Sequence, residues 1–149
     1  MSDTIVVGTD GSETAQQAVA EAVRVGKALD AQVHVVVAYH PLTGAKITGA
    51  PAAAAKVWAP SPDDEARSIS DQAAAAVRVG GLDCKTHVLE DDPADALLEV
   101  AADAGATLIV VGSKGMTGAR RLLGSVPNKL SHHAQCNLLI VATHKSGDA

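Results

Sequence analysis

Short apolar runs alternate with longer amphipathic segments along the chain. The runs are rich in β-branched residues, and the segments between them carry apolar residues at helical spacing. Runs of this kind favour strands, and the helical spacing favours helices with one buried face. The pattern predicts strands at 4–7, 32–39, 82–89, 107–111 and 137–142, separated by helices at 13–29, 62–79, 93–104 and 125–134.

Strands that alternate with helices in this way predict an α/β fold, in which a parallel sheet carries helices on both faces. The strand at 32–39 contains Val33, Val35, Val36 and Val37, a run of β-branched residues that is too continuous for a half-exposed strand and is typical of strands covered on both sides. The strand at 82–89 alternates between apolar and polar residues, which is typical of an edge strand or of a strand with one buried face. With 149 residues and no internal repeat, the chain is expected to form one domain over residues 1–149.

The predicted helices begin at residues suited to capping. Ser12, Ser61, Asp92 and Ser125 each stand just before or at the start of a helical segment. Short oxygen-bearing side chains at this position accept hydrogen bonds from backbone N–H groups of the first turn. We therefore predict all four as N-caps, including Ser125 for the last helix.

The connection from residue 40 to 62 differs from the rest of the chain. Proline and glycine punctuate it, and it is longer than the usual link between two elements. A mobile surface connection and a lid over a ligand site are both compatible with this composition.

Charge and composition exclude several classes of protein. The formal net charge is −5 and the only basic doublet is Arg120-Arg121, which disfavours nucleic acid as a partner. No apolar run approaches the roughly 20 residues that a membrane span requires. The start of the chain shows no secretion signal, so a cytoplasmic location is expected. Cys84 and Cys136 form no metal-binding pattern and are expected to be small buried hydrophobes.

Two turns rich in small polar residues carry the candidate chemistry. One spans residues 8–12 after the first strand, and the other spans residues 112–115 after the fourth. Ligands of open parallel sheets bind beyond the carboxyl ends of the strands, where the strand order reverses. If the first and fourth strands are neighbours, the two turns line one crevice.

The second turn is suited to phosphate. Gly112 and Gly115 allow the backbone to approach a ligand closely, and Gly124-Ser125 adds the positive end of the last helix and a hydroxyl. Asp10 in the first turn has two readings. It can contact a ribose, a base or Mg²⁺, or it can accept hydrogen bonds from N–H groups of its own turn.

These motifs resemble those of the universal stress proteins, in particular the branch that binds adenine nucleotides. That branch carries Gly, two residues, Gly, nine residues, and Gly followed by Ser, Thr or Asn. This chain has Gly112-Ser113-Lys114-Gly115 and Gly124-Ser125, separated by eight residues. Residues 6–12 and 125–134 resemble the opening and the closing helix of the family.

The resemblance implies a Rossmann-like, adenine nucleotide alpha hydrolase-like fold: an open five-stranded parallel sheet in the order 3-2-1-4-5. It also implies a homodimer through the last strand, residues 137–142. The implied ligand is ATP or another adenine nucleotide such as cyclic AMP, with or without Mg²⁺. The binding residues carried over by position are Gly8, Thr9 and Asp10 beside the nucleoside, Ala38 at the adenine, Val111, Gly112, Ser113, Lys114 and Gly115 along the ribose and phosphates, and Gly124, Ser125, Val126 and Pro127 at the phosphate end.

The leading functional prediction is a regulatory protein that binds ATP with little or no catalysis, because the sequence contains neither a Walker A motif nor a recognisable catalytic set. Three alternatives stay open. The first is a cyclic AMP-binding protein. The second is a slow hydrolase with Mg²⁺ on Asp10 and charge neutralisation by Lys114 or Arg120. The third is a phosphoacceptor domain using Asp10 and Asp91. No metal site is predicted, since the adjacent His132 and His133 diverge on a helix.

Overall fold

The computed structural model describes residues 3–40, 61–113 and 124–143. The predictions for residues 41–60, Lys114, Gly115, Arg120 and the spacer 116–123 lie outside these ranges. The strands and helices agree with the predicted ones to within two residues at each end. They are β1 (Thr4–Gly8), α1 (Glu13–Leu29), β2 (Gln32–Tyr39), α2 (Pro62–Val79), β3 (Cys84–Glu90), α3 (Pro93–Ala104), β4 (Leu108–Gly112), α4 (Ser125–His133) and β5 (Asn137–Val141).

The five strands form one parallel sheet in the order β3-β2-β1-β4-β5. The predicted order 3-2-1-4-5 is therefore confirmed. Val7 of β1 pairs with Val35 of β2 on one side and with Val110 of β4 on the other. The chain moves outward from β1 in both directions, so the strand order reverses between β1 and β4. Their carboxyl ends lie side by side, as the predicted crevice requires.

Two apolar layers enclose the sheet. One face packs against α1 and α2 and includes Ile5 and Val7, and the opposite face packs against α3 and α4 and includes Val6. These three residues of β1 have no exposed surface. A strand covered on both sides needs apolar residues at every position, which explains its unbroken apolar run.

Three of the four predicted helix caps are confirmed. Ser12 accepts a hydrogen bond from Ala15 N at 3.1 Å, and Asp92 accepts one from Asp95 N at 3.1 Å. Ser61 also caps its helix, α2. The prediction for Ser125 is wrong, because the chain becomes helical one residue earlier than expected. Ser125 is the first helical residue, and the extended Gly124 (φ −62°, ψ 167°) is the N-cap.

Strand β3 lies at one edge of the sheet, as its alternation predicted. Cys84 and Val88 pack against the α1–α2 layer, while Lys85 is exposed. Cys84 and Cys136 are free and half-buried, and burial raises the pKa of both thiols. They are less buried than the sequence suggested, because each lies on one of the two edge regions of the sheet. None of the described helices is long and apolar enough to cross a membrane.

Candidate functional site

A cavity of about 480 Å³ opens at the carboxyl ends of β1 and β4. This is the reversal point of the strand order, where open parallel sheets bind ligands. Its volume lies within the range of about 300–1,000 Å³ that is usual for small-molecule sites. The lining residues are Gly8, Thr9, Asp10, Ser12, Thr14, Ala15, Val36, Ala38, Pro93, Leu97, Val111, Gly112, Gly124, Ser125, Val126 and Pro127.

Most of the residues predicted from sequence come together around this cavity. Ser113 does not line it: Ser113 Oγ accepts a hydrogen bond from Thr143 N at 3.1 Å, and the residue is buried. Lys114 and Gly115 lie outside the described residues. The predicted residues that line the cavity are Gly8, Thr9, Asp10, Ala38, Val111, Gly112, Gly124, Ser125, Val126 and Pro127. Their contacts with a ligand stay a prediction.

The turn after β1 is held by its own hydrogen bonds. Thr9 N donates to Val36 O at 3.1 Å, which joins the turn to β2. Gly11 N donates to Thr9 Oγ1 at 3.1 Å, and Ser12 N donates to Asp10 Oδ1 at 2.9 Å. Of the two roles predicted for Asp10, the structure shows the second, because Asp10 accepts a hydrogen bond from an N–H group of its own turn. Asp10 is also exposed and lines the cavity, so its contact with a ribose, a base or Mg²⁺ stays a prediction.

Gly8 and Gly112 end the two central strands at places with little room for a side chain. A Cβ atom at Gly8 would lie 3.0 Å from Leu97 Cδ1, and one at Gly112 would lie 3.1 Å from Thr143 Cγ2. Contacts this short require the neighbour to move. Because Leu97 itself lines the cavity, the glycine at position 8 keeps α3 close to β1 and preserves the shape of the cavity wall.

The first turn of α4 forms the other polar wall. No side chain caps this helix, and Gly124, Ser125 and Val126 line the cavity. The first backbone N–H groups of a helix lack partners within it and carry the positive end of its dipole. Pro127, the third helical residue, has no N–H group, so the donors of this turn are concentrated at its first residues. Together with the Ser125 hydroxyl, they suit an anion.

The start of α3 and the second turn of α4 are joined by a cluster of three charged side chains. Lys129 Nζ lies 2.8 Å from Asp95 Oδ1 and 3.3 Å from Asp92 Oδ2. These contacts raise the pKa of Lys129, the larger effect coming from Asp95. The pKa of Asp92 is lowered, chiefly by the hydrogen bond from Asp95 N and also by Lys129. Pro93 of α3 and Pro127 of α4, each within two residues of a member of this cluster, both line the cavity.

Several lining residues carry no motif that marks them in the sequence. They are Thr14, Ala15, Val36, Pro93 and Leu97. Strand alternation could have indicated Val36, which lies two residues from Ala38 on the same face of β2. Nothing local could have indicated Pro93 and Leu97, because their place at the cavity depends on how α3 packs across β1 and β2. They make one side of the cavity apolar.

A histidine pair on β2 and β3 also belongs to none of the sequence motifs. His34 Nδ1 lies 2.8 Å from His87 Nε2, and the two ring planes differ by only 11°. Both pKa values are lowered, in each case chiefly by burial. Among the described residues, no group of three or more His, Cys, Asp or Glu side chains is placed to hold a metal ion.

Sequence comparison identifies the family. The sequence model of the universal stress protein family matches residues 1–142. The chain belongs to this family. A universal stress protein of Mycobacterium tuberculosis is 36% identical over 147 residues, which cover 94% of this chain and 96% of the relative. One from Methanocaldococcus jannaschii is 31% identical over 144 residues, covering 95% and 82%. Membership of the universal stress protein family, which the motifs implied, is thereby confirmed, whereas the adenine-nucleotide-binding branch stays a prediction.

Solved universal stress proteins share the fold. One in complex with cAMP superimposes on this chain with a TM-score of 0.72 at 31% identity, covering 95% of this chain and 98% of its own. Another, from Archaeoglobus fulgidus in complex with dAMP, gives a TM-score of 0.67 at 21% identity, covering 93% and 96%. At that lower identity, the likeness concerns the fold alone.

Proposed function

We propose that this universal stress protein is a cytoplasmic regulatory protein that binds an adenine nucleotide, with ATP as the preferred ligand and little or no catalysis. The proposal rests on one observation: two walls of the cavity, with chemistry suited to a nucleotide, come together where the strand order reverses. One wall is the β1 turn and the other is the uncapped start of α4. The universal stress protein in complex with cAMP, 31% identical to this chain, supports an adenine nucleotide as the ligand class.

The chemistry of the lining suggests how a nucleotide lies in the cavity. Val36, Ala38 and Leu97 offer an apolar surface for the adenine ring. Asp10 in the β1 turn is suited to accept hydrogen bonds from ribose hydroxyls, or to hold Mg²⁺ that accompanies the phosphates. The first turn of α4, with the Ser125 hydroxyl, is suited to the phosphates. Lys114 and Gly115 join this proposal on their sequence motif alone.

The ionisable groups around the cavity favour binding over catalysis. Among the described lining residues, Asp10 is the only one with an ionisable side chain. Efficient hydrolysis of a nucleotide calls for a positioned base or water-orienting group together with charge stabilisation of the transition state. We therefore expect phosphate release at saturating MgATP to be far below about 10 s⁻¹, a typical enzyme rate. Slow hydrolysis assisted by Asp10 would be revealed by its loss in Asp10→Ala.

Cyclic AMP is the second candidate ligand, because the 31% identical structure contains it. The two ligands differ in the number of phosphates that the start of α4 must bind. ATP presents a chain of three phosphates, whereas cyclic AMP presents a single phosphate tied back to its ribose. Which of them binds depends on how many phosphates the start of α4 accommodates.

Calorimetric titration with ATP, ADP, AMP and cyclic AMP, with and without Mg²⁺, tests the proposal. We expect ATP to bind most tightly and all four to compete for one site. Tightest binding of cyclic AMP would replace ATP with the second candidate. Absence of binding by all four nucleotides would overturn the proposal.

We also propose that the protein is a homodimer through β5. This strand is at the edge of the sheet, and its residues from Leu138 to Val141 are all apolar and half-buried in the single chain. An apolar edge strand presents unpaired backbone groups that favour pairing with another chain. A second copy of β5 supplies a strand of the same character.

A further inference from the structure

Two helix starts line the cavity, and only the start of α4 forms the end that is suited to phosphates. Pro93 and Leu97 come from the start of α3, and Gly124 to Pro127 come from the start of α4. The donors offered by α4 are backbone groups, so their direction depends on where the whole helix lies. Any residue that fixes α4 relative to α3 therefore affects how these donors meet a ligand.

The buried anchors of α4 are apolar. Leu130 has no exposed surface and packs in the layer that includes Val100 and Leu97 of α3, and Pro127 is also buried. The hydrophobic effect is not directional, so apolar contacts constrain the exact position of a helix along a layer less sharply than a directional contact does. Hydrogen bonds between charged groups do have preferred distances and angles.

Lys129 supplies the directional contact. Its Nζ atom donates to Asp92 Oδ2 and lies within ion-pair distance of Asp95 Oδ1. Asp92 is also the N-cap of α3, so the same carboxylate atom, Oδ2, accepts from Asp95 N and from Lys129. Lys129 does not line the cavity. Its influence on a ligand must therefore pass through the placement of α4.

On the basis of the proposed nucleotide site, we infer that Lys129 is a positioning residue for phosphate recognition: from the second turn of α4 it ties this helix, and with it the donors at its start, to the capped start of α3. The three side chains are each about half exposed, at 41% for Lys129, 46% for Asp92 and 48% for Asp95. Ion pairs this exposed change an equilibrium only a few-fold. The role is therefore to tune recognition of the phosphates, while the fold is held by the apolar layers.

Calorimetric affinities for adenosine, AMP and ATP test this inference. Because the α4 donors face the phosphates, Lys129→Met should weaken AMP and ATP by about two- to fivefold. Adenosine, which has no phosphate, should change less than twofold. Lys129→Arg keeps a charged donor of similar reach and should restore most of the affinity. Lys27→Met removes the same charge from the last turn of α1 and should leave all three affinities unchanged.

Asp95→Asn separates positioning from simple charge attraction. Removing a negative charge near the cavity would tighten ATP if long-range electrostatics dominated. If Lys129 positions α4 through Asp95, the same variant should weaken ATP and AMP, because an ion-pair partner is lost. Unchanged or tighter ATP binding by Asp95→Asn, or equal losses for adenosine and ATP in Lys129→Met, would overturn the inference. A wild-type protein that binds none of the three ligands would instead refute the proposed nucleotide site itself.

Discussion

At Gly8, the last residue of β1, a side chain can be accommodated only if a neighbouring residue moves. A methyl group there would approach Leu97 Cδ1 to 3.0 Å, and Leu97 is only 2% exposed. In Gly8→Ala, Leu97, which lines the cavity, must therefore shift. Overpacking of this kind typically destabilises a protein by about 1–3 kcal/mol. We expect a loss within this range in urea unfolding, together with weaker binding of adenosine and ATP by similar factors, because the change affects the apolar side of the cavity.

The ligand comparison provides the control for Gly8→Ala. A loss confined to ATP would place the effect at the phosphate end and contradict the role given to Leu97. Wild-type affinity for both ligands with undiminished stability would mean that Leu97 relaxes without entering the cavity.

The histidine pair predicts how stability depends on pH. Burial lowers the pKa of His34 from the ordinary 6.5, and the charges of His87 and Lys85 lower it further. The pKa of His87 is lowered by burial and by Lys85, against an opposing effect of Asp103 on α3. Below about pH 6.5 the unfolded chain therefore takes up protons that the folded chain resists, and stability falls with acidification. Urea unfolding between pH 8 and pH 5 should show this decline.

The double variant His34→Val, His87→Val should flatten that decline, because it removes both titrating rings from the β2–β3 contact. His132→Gln, His133→Gln serves as the control, since these two histidines are exposed on α4. An equally steep decline in the double valine variant would show that other groups carry the pH dependence.

Residue roles that depend on local geometry were partly predictable from sequence. The caps at Ser12 and Asp92 follow from short-range preferences, and the structure confirms them. The prediction of Ser125 as an N-cap was wrong because glycine is also accepted at this position, so the residue preference could not decide between Gly124 and Ser125. The hydrogen bond from Thr143 N to Ser113 Oγ could not be predicted, because Thr143 is 30 residues away in the sequence and follows β5.

Among the secondary-structure elements, the start of α4 carries the sharpest prediction. Gly124 is the N-cap, and its backbone conformation suits a residue with a side chain. Gly124→Asp should stabilise the helix by a few tenths of a kcal/mol, because a carboxylate caps the first N–H groups. The same carboxylate would compete with phosphate for those donors and add negative charge. We expect a slightly higher thermal midpoint and ATP binding that is weaker by at least about tenfold, or 1.4 kcal/mol.

Gly124→Ser is the matched control, since it offers a neutral cap. It should give a similar stability gain with a smaller loss of ATP affinity. Undiminished ATP binding by Gly124→Asp would place the phosphates away from α4.

At the level of the whole molecule, alternating patterns were sufficient to predict the fold class but not its arrangement. Unbroken apolar runs identify strands that are buried on both sides, such as β1, because burial on both faces favours an apolar residue at every position. These runs do not show which strands are neighbours, so the order 3-2-1-4-5 could be predicted only from the family resemblance. The contact between His34 and His87 follows from β2 and β3 being neighbours, so it also required the assembled sheet.

The edge at β5 yields the prediction for the assembled protein. Ile140 pairs with Val111 of β4 and is half-buried in the single chain, although its side chain is wholly apolar. If β5 joins two copies, Ile140→Lys places a charge at the interface and should shift sedimentation from dimer to monomer, while Ile140→Val should stay dimeric. Leu29→Lys is the control, because Leu29 is 44% exposed at the end of α1. A wild-type protein that sediments as a monomer at every concentration, or a dimer unaffected by Ile140→Lys, would argue against assembly through this strand.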